Sequence, residues 1–145
     1  MKNNPDVGFL IKLVHDCVQK EANLQLKQND LTLSQARLLA YLYENNGVTM
    51  QKELEKVFDV SHPTVAGLIK RMETKNLIFC KPDEQNKTLK NIALTEKGIS
   101  FYHVTVNQRN TTEKKLLSGL SKEEVTQLKK LLQTIYLNIQ NQQDF

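Results

Sequence analysis

The segment VSHPTVAGLIKRMETK (residues 60–75) gathers the side chains of this chain best suited to chemistry, and that chemistry is recognition rather than catalysis. Ser61 is a residue type that caps a helix start, and Pro63 in the first turn has no N–H to leave unpaired. A helix is therefore predicted here. Val65, Leu68, Ile69 and Met72, at i, i+3, i+4 and i+7, form one apolar stripe directed at a core. The opposite face carries Pro63, Gly67, Lys70 and Thr74, flanked by Ala66 and Arg71. It is small at its start and basic at its end, which suits the approach of a phosphodiester backbone. Gly67 costs the helix about 1 kcal/mol relative to alanine, so its place on the outer face invites a reason such as close approach of another surface. A plain solvated helix would fit the same residues; its neighbours decide between the two.

Immediately upstream, Thr49 is placed to cap a short helix in which Met50, Leu54, Val57 and Phe58 keep helical spacing, ending at Asp59 and Val60. Two short helices joined by a tight turn, each with an inward stripe, make a helix-turn-helix pattern. Downstream, LIFCK (77–81) reads as a strand, Pro82, Asp83 and Asn86 mark a turn, and NIAL (91–94) returns as a second strand with Ile92 and Leu94 on one face. A helix-turn-helix followed directly by a hairpin is the order of a winged helix. Lys81, Lys87 and Lys90 then project near the wing, where they can meet phosphates beside the groove that the helix enters.

The flanks predict long helices. Asp6 can open one running to about residue 28, with apolar positions Val7, Leu10, Ile11, Val14, Cys17 and Val18, widened by Phe9 and Leu13. With apolar residues on more than one side, it is either central to a core or in contact with a partner chain. Thr32 and Gln35 form a capping-box pattern ahead of Leu38, Leu39 and Leu42, and Asn45, Asn46 and Gly47 supply a stop. Thr95 caps a helix over 96–117 with Ile99, Tyr102 and Val106 inward, ragged over 107–112 and broken at Ser118 and Gly119. After a second capping box, Ser121 with Glu124, the residues Val125, Leu128, Leu132, Ile135 and Ile139 alternate spacings of three and four. That is a heptad seam, and it predicts pairing between chains through Leu10, Val14 and these five positions. The expected architecture is mainly α with a small β-hairpin wing. One domain is expected over residues 1–145, with a DNA-binding lobe over 31–95 and dimerisation helices over 6–30 and 96–145.

Composition sets outer limits. The 145 residues suffice for one domain with a real core, and 20 Lys and Arg against 16 Asp and Glu leave a formal charge of +4. The excess is thin everywhere: five of each sign over 1–46, nine basic to seven acidic over 47–97, six to four over 98–145. Placement, not total charge, must carry the case for nucleic acid. Cys17 and Cys80 are far apart and form no C-x-x-C, so no disulfide framework, metal site or cofactor is indicated. With no apolar run near the ~18 residues of a membrane span and no signal-peptide pattern, a soluble cytoplasmic protein away from membranes is expected. Catalysis finds no support: G-x-S-x-G, G-x-x-x-x-G-K-[ST] and H-E-x-x-H are absent, and His15, His62 and His103 are isolated.

Taken with VSHPTVAGLIKRMETKNLI and LTEKG (94–98), this order of elements resembles the MarR family of bacterial winged-helix regulators over nearly the whole chain. The resemblance implies that Ser61, His62, Pro63 and Thr64 begin the recognition helix, that Lys70 and Arg71 are its basic, groove-facing positions, beside the Gly67 of the outer face, and that Leu31, Thr32 and Gln35 open the second helix. Arg71 is the expected guanine contact and Lys70 a phosphate contact. The wing departs from the family pattern. Asn86, Lys87 and Thr88 stand where D-x-R is common, so the usual minor-groove arginine is missing and Lys87 is the substitute, with weaker readout expected. The resemblance further implies a homodimeric repressor of a pseudo-palindromic duplex site, relieved by a small-molecule ligand. Some relatives sense oxidants through a first-helix cysteine, making Cys17 a redox candidate, although its position on the apolar stripe predicts a buried, inert thiol. A winged helix that uses the same face for a protein partner is the remaining alternative.

Overall fold

Three leucines on one side of a helix, Leu38, Leu39 and Leu42, have no exposed surface and mark the centre of the core. They belong to α2 (Leu33–Glu44), in a computed structural model that describes residues 4–141. The chain runs α1 (Val7–Gln28), α2, β1 (Val48–Met50), α3 (Gln51–Phe58), α4 (His62–Thr74), β2 (Ile78–Pro82), β3 (Lys90–Leu94), α5 (Glu96–Leu116) and α6 (Lys122–Gln140). This is a mainly helical winged helix with a small antiparallel sheet, as the sequence predicts. The polypeptide divides into two compact units, the first ending at Asn110 and the second beginning at Thr111.

In the first unit, Leu26 of α1, Leu54 of α3, the α4 stripe and Ile78 and Ile92 of the sheet close around the α2 leucines. Val65, Leu68, Ile69 and Met72 are all buried. Each such side chain contributes about 1.5–3 kcal/mol when removed from water, so the stripe fixes the rotation of α4 about its own axis. Gln35 is the buried polar residue of this core. Its backbone N–H donates to Thr32 Oγ1, and its Oε1 accepts from the Thr32 N–H, both at 3.2 Å, which is the predicted capping box. The predicted stop of α2 also forms, with Asn46 and Gly47 at positive φ.

Three local expectations are corrected. Thr49 does not cap α3; it lies in β1, opposite Ile92 of β3, and α3 starts from Met50 without a side-chain cap. Val-Thr-Met is a β-favouring run, and pairing with β3 satisfies several backbone groups where a hydroxyl cap would satisfy one. The sheet order is therefore β1-β3-β2, three strands rather than a bare hairpin. Met50 and Val57 are exposed, leaving Leu54 as the buried residue of α3 with Phe58 packed at the margin. The first wing strand begins at Ile78 rather than Leu77 and runs through Pro82, which an edge strand tolerates because its missing N–H faces no neighbour.

Leu77 instead roots the wing. Its N–H donates to Met72 O, and its carbonyl accepts from the Thr95 N–H at 3.1 Å. Thr95 Oγ1 donates to Asn76 O at 2.7 Å and accepts from the Gly98 N–H at 2.9 Å, capping α5 as predicted. This leaves no room beside Gly98, where a Cβ would stand 2.0 Å from the Leu77 carbonyl oxygen. Tyr43 and Tyr102, stacked at 4.1 Å, join α2 to α5 one turn further on, with His103 edge-on to Tyr43 at 5.1 Å.

The wing turn is organised by a carboxylate. Asp83 Oδ2 accepts from the N–H groups of Gln85 and Asn86, and its Oδ1 accepts from the Asn91 amide at 3.0 Å. The Asn91 amide, then the Asn86 and Gln85 N–H groups, hold the Asp83 carboxyl below the usual carboxylate range.

Outside this core the apolar faces of the long helices are bare. In α1, Val7, Phe9, Leu10, Ile11 and Val14 are 40–59 % exposed, which removes the reading of that stretch as central to the core of this chain. The second unit contains α6, opened by the predicted Ser121–Glu124 capping box. Along its seam Val125, Leu128 and Ile135 are half-buried while Leu132 and Ile139 are exposed.

Two outcomes check these contacts. Gly98→Ala is expected to lower stability by about 1–3 kcal/mol in chemical denaturation, because backbone rather than a flexible side chain must give way; an unchanged midpoint would refute the contact. For the turn, a depressed folded-state carboxyl contributes order that is complete above the ordinary range near pH 4 and lost as pH falls through the folded value. The Gln85 and Asn86 amide resonances should therefore collapse toward random-coil shifts in acid, and at neutral pH in Asp83→Ala.

Candidate nucleic-acid interface

The start of α4 is built as the sequence predicts. Ser61 Oγ accepts from the Thr64 N–H at 3.4 Å and meets Thr64 Oγ1 at 2.9 Å, with Pro63 in the first turn. The turn from α3 is made by Asp59 at φ 50°, a left-handed position that aspartate tolerates. Because the stripe is buried, the opposite face is held outward: Pro63, Lys70, Arg71 and Thr74 are exposed, with Ala66 and Gly67 half-buried. Thr74 Oγ1 is occupied, donating to Lys70 O at 2.9 Å.

Gly67 has an occupant from within its own helix. The Arg71 guanidinium lies along it, with one terminal nitrogen 3.4 Å from where a Cβ would stand. That spacing is ordinary van der Waals contact, so the glycine is not required by the fold. It gives the arginine a flat bed on the outer face.

His62 stands at the start of α4, as expected. The ring reaches back to α3, with Nδ1 2.5 Å from Glu55 Oε1 and 3.1 Å from Gln51 Nε2. It remains exposed. Arg37 of α2, which the sequence reading passed over, shares a crevice of about 110 Å³ with Arg71, bordered by Ser34, Phe58, Val60 and Thr64. The Arg37 guanidinium stands 6.0 Å over the Phe58 ring. Lys and Arg are interleaved through this chain, so only the fold shows that two of its three arginines border one depression.

On the wing, Lys81, Lys87 and Lys90 are all exposed, on the strand and turn positions expected for them. Among the described residues, none of these lysines, nor Lys70, Arg71 or Arg37, forms an ion pair. Cations without carboxylate partners keep their donors available to an incoming anion. Lys75, just past α4, is by contrast structural, donating to Gln35 Oε1 at 3.0 Å and to Asp30 O.

The two cysteines separate. Cys80 is half-buried in β2, where burial, followed by the neighbouring Glu73, pushes its thiol up to about 11 and leaves it a packing residue. Cys17 is exposed on α1, so the expectation that burial in this chain would silence it does not hold. Among the described residues, no group of three or more His, Cys, Asp or Glu side chains is placed to hold a metal ion, and no helix is long and apolar enough to cross a membrane.

Gly67→Ala is expected to stabilise the fold by up to about 1 kcal/mol through helix propensity, read as a higher denaturation midpoint. A loss of stability would show that the space beside Gly67 is structurally required after all.

Comparison with known proteins agrees with this geometry. A profile of the MarR family matches residues 29–87. The chain is 31% identical over 140 residues to the uncharacterized HTH-type transcriptional regulator YybA of Bacillus subtilis, covering 97% of this chain and 93% of that protein. It is 28% identical to the organic hydroperoxide resistance transcriptional regulator of the same organism, over 94% and 88% of the two chains. Among solved structures it resembles MepR, a transcription regulator of the Staphylococcus aureus multidrug efflux pump MepA, with a TM-score of 0.82 and 30% identity over 93% of this chain and 99% of that one. A MepR–DNA complex superposes with a TM-score of 0.77 at 30% identity, covering 91% and 98%. The chain belongs to the MarR family of winged-helix transcriptional regulators.

Proposed function

We propose that this protein is a homodimeric, sequence-specific DNA-binding repressor that reads a pseudo-palindrome, each α4 lying in a major groove about one helical turn from the other. The observation that carries this reading is α4 itself: its apolar stripe is wholly buried while Lys70 and Arg71 stand exposed, without carboxylate partners, on the opposite face. Thr64 and Lys70 hold phosphates, Arg71 reads guanine, and Lys81, Lys87 and Lys90 track the backbone beside the groove. The MepR–DNA complex supports duplex DNA as the partner. The bare apolar positions Leu10 and Val14 of α1, and the α6 seam through Val125, Leu128, Leu132, Ile135 and Ile139, support pairing of two chains. Repression by promoter occlusion, relieved by a small-molecule ligand, completes the reading.

A second trigger is favoured by the exposure of Cys17: oxidation of this thiol in place of ligand binding. The organic hydroperoxide regulator among the relatives adds weight to it.

Selection from a pool of random duplexes at two salt concentrations tests the main reading. Enrichment of a palindrome with half-sites about ten base pairs apart is expected, with affinity falling steeply as salt rises. Arg71→Ala should cost about 1–3 kcal/mol of binding and relax preference at one base position. Absence of enrichment would remove sequence-specific regulation by the free protein. For the second trigger, an organic hydroperoxide should release the wild-type protein from its duplex but not Cys17→Ser; equal release of both would eliminate Cys17 as sensor.

A further inference from the structure

The crevice shared by Arg37 of α2 and Arg71 of α4 has four polar side chains on its border, Ser34, Arg37, Thr64 and Arg71, and none of them is acidic. Its other walls, Phe58, Val60, Val65 and Leu68, are apolar. Two guanidiniums beside one depression repel each other, and among the described residues no carboxylate pairs with either. Both are nevertheless held in place. Arg71 folds back along its own helix to Gly67, with a terminal nitrogen 3.4 Å from where a Cβ would stand. Arg37 stands 6.0 Å over the Phe58 ring, and that ring packs against the core and lies edge-on to Tyr41 with centroids 5.9 Å apart. A planar fork resting on a fixed ring loses little freedom when it takes an anion. Ser34, three residues before Arg37, adds a hydroxyl on the same face of α2.

We propose that this crevice is a phosphate-binding site of the duplex interface, in which Arg37 holds one backbone phosphodiester of each half-site from outside both the recognition helix and the wing. This rests on the DNA-binding reading above and adds α2 to it as a third element of contact. Position divides the work between the two arginines. Arg71 belongs to the helix that enters the groove and reads a base edge, whereas Arg37 belongs to α2, across the crevice, and takes the strand that borders the groove. The guanidinium fork matches the two non-bridging oxygens of a phosphodiester, and the Ser34 hydroxyl donates to one of the same oxygens. Apolar walls strengthen each of these contacts by keeping water from them. The bound phosphate also offsets the repulsion between the arginines, so the contact steadies Arg71 as well as gripping the backbone.

The test measures affinity as a function of salt concentration for the duplex recovered by selection, or for a mixed-sequence duplex if none is recovered. Arg37→Ala is expected to weaken binding about tenfold by the same factor on every sequence, and to lower the slope of log affinity against log salt by about one per engaged chain. Arg37→Lys keeps the charge without the planar fork, and should retain the slope while losing part of the affinity. Replacing single phosphates of the selected duplex by uncharged methylphosphonates locates the contact: one position in each half-site should cost the wild-type protein about tenfold and cost Arg37→Ala nothing. Unchanged affinity and slope in Arg37→Ala, an altered base preference at constant slope, or the same methylphosphonate profile in wild type and variant would overturn the proposal while leaving DNA binding intact. Inorganic phosphate that shifts the Ser34 and Arg37 amide resonances without competing with duplex would give the crevice to a free anion and overturn it too. Failure of the wild-type protein to bind any duplex at any salt concentration would overturn the DNA-binding reading, and this proposal with it.

Discussion

A buried amide holds the helix-turn-helix to the rest of the first unit. Gln35 sits 2% exposed in a core otherwise made of leucine, valine, isoleucine, methionine and one alanine, and an unpaired amide there would cost about 1–3 kcal/mol. Its Oε1 is satisfied from two directions, by the Thr32 N–H and by Lys75 Nζ, the latter also reaching Asp30 O in the turn between α1 and α2. Lys75 follows the last residue of α4, where a cation also complements the helix dipole. Its own carbonyl accepts from Lys97 Nζ of α5 at 3.0 Å. One polar chain thus runs from the opening of α2 through the end of α4 to the opening of α5. Hydrophobic burial brings α4 to the core, and this directional chain determines where its far end is anchored.

Much of the fold is legible in the residues because local and global signals coincide. The α4 stripe, both capping boxes and the Thr95 cap each depend on side chains within one turn of one another, where spacing is nearly a sufficient description. The errors fall where long-range pairing overrides a local preference. Thr49 carries a good capping hydroxyl, but the open edge of β3 competes for its backbone and wins. Leu77 looks like a strand residue; its carbonyl is instead claimed by Thr95, a partner far along the chain.

The outward faces of α4 and the wing are legible in outline, and what packs beside them is not. Lys70, Arg71 and the wing lysines could be placed because period and turn chemistry determine which way they face. Arg37 could not, since its proximity to Arg71 arises from packing of α2 on α4 and from the Phe58 ring beneath it. Likewise nothing in spacing alone distinguishes a histidine free at a helix start from one bound to a carboxylate on the preceding helix. Asp83 is legible as a turn residue, but its role as acceptor for two N–H groups and one amide arises only in the closed turn.

The contact at Gly98 has a mechanical meaning. With the Leu77 carbonyl pressed against its α-carbon, Thr95 bridging to Asn76, and the β2 strand beginning at the next residue, the first turn of α5 and the root of the wing share one set of coordinates. The wing therefore has no hinge of its own at that end. Any tilt of the opening of α5 is a displacement of the wing, transmitted without slack, and the missing side chain of one glycine is what removes the play from the joint.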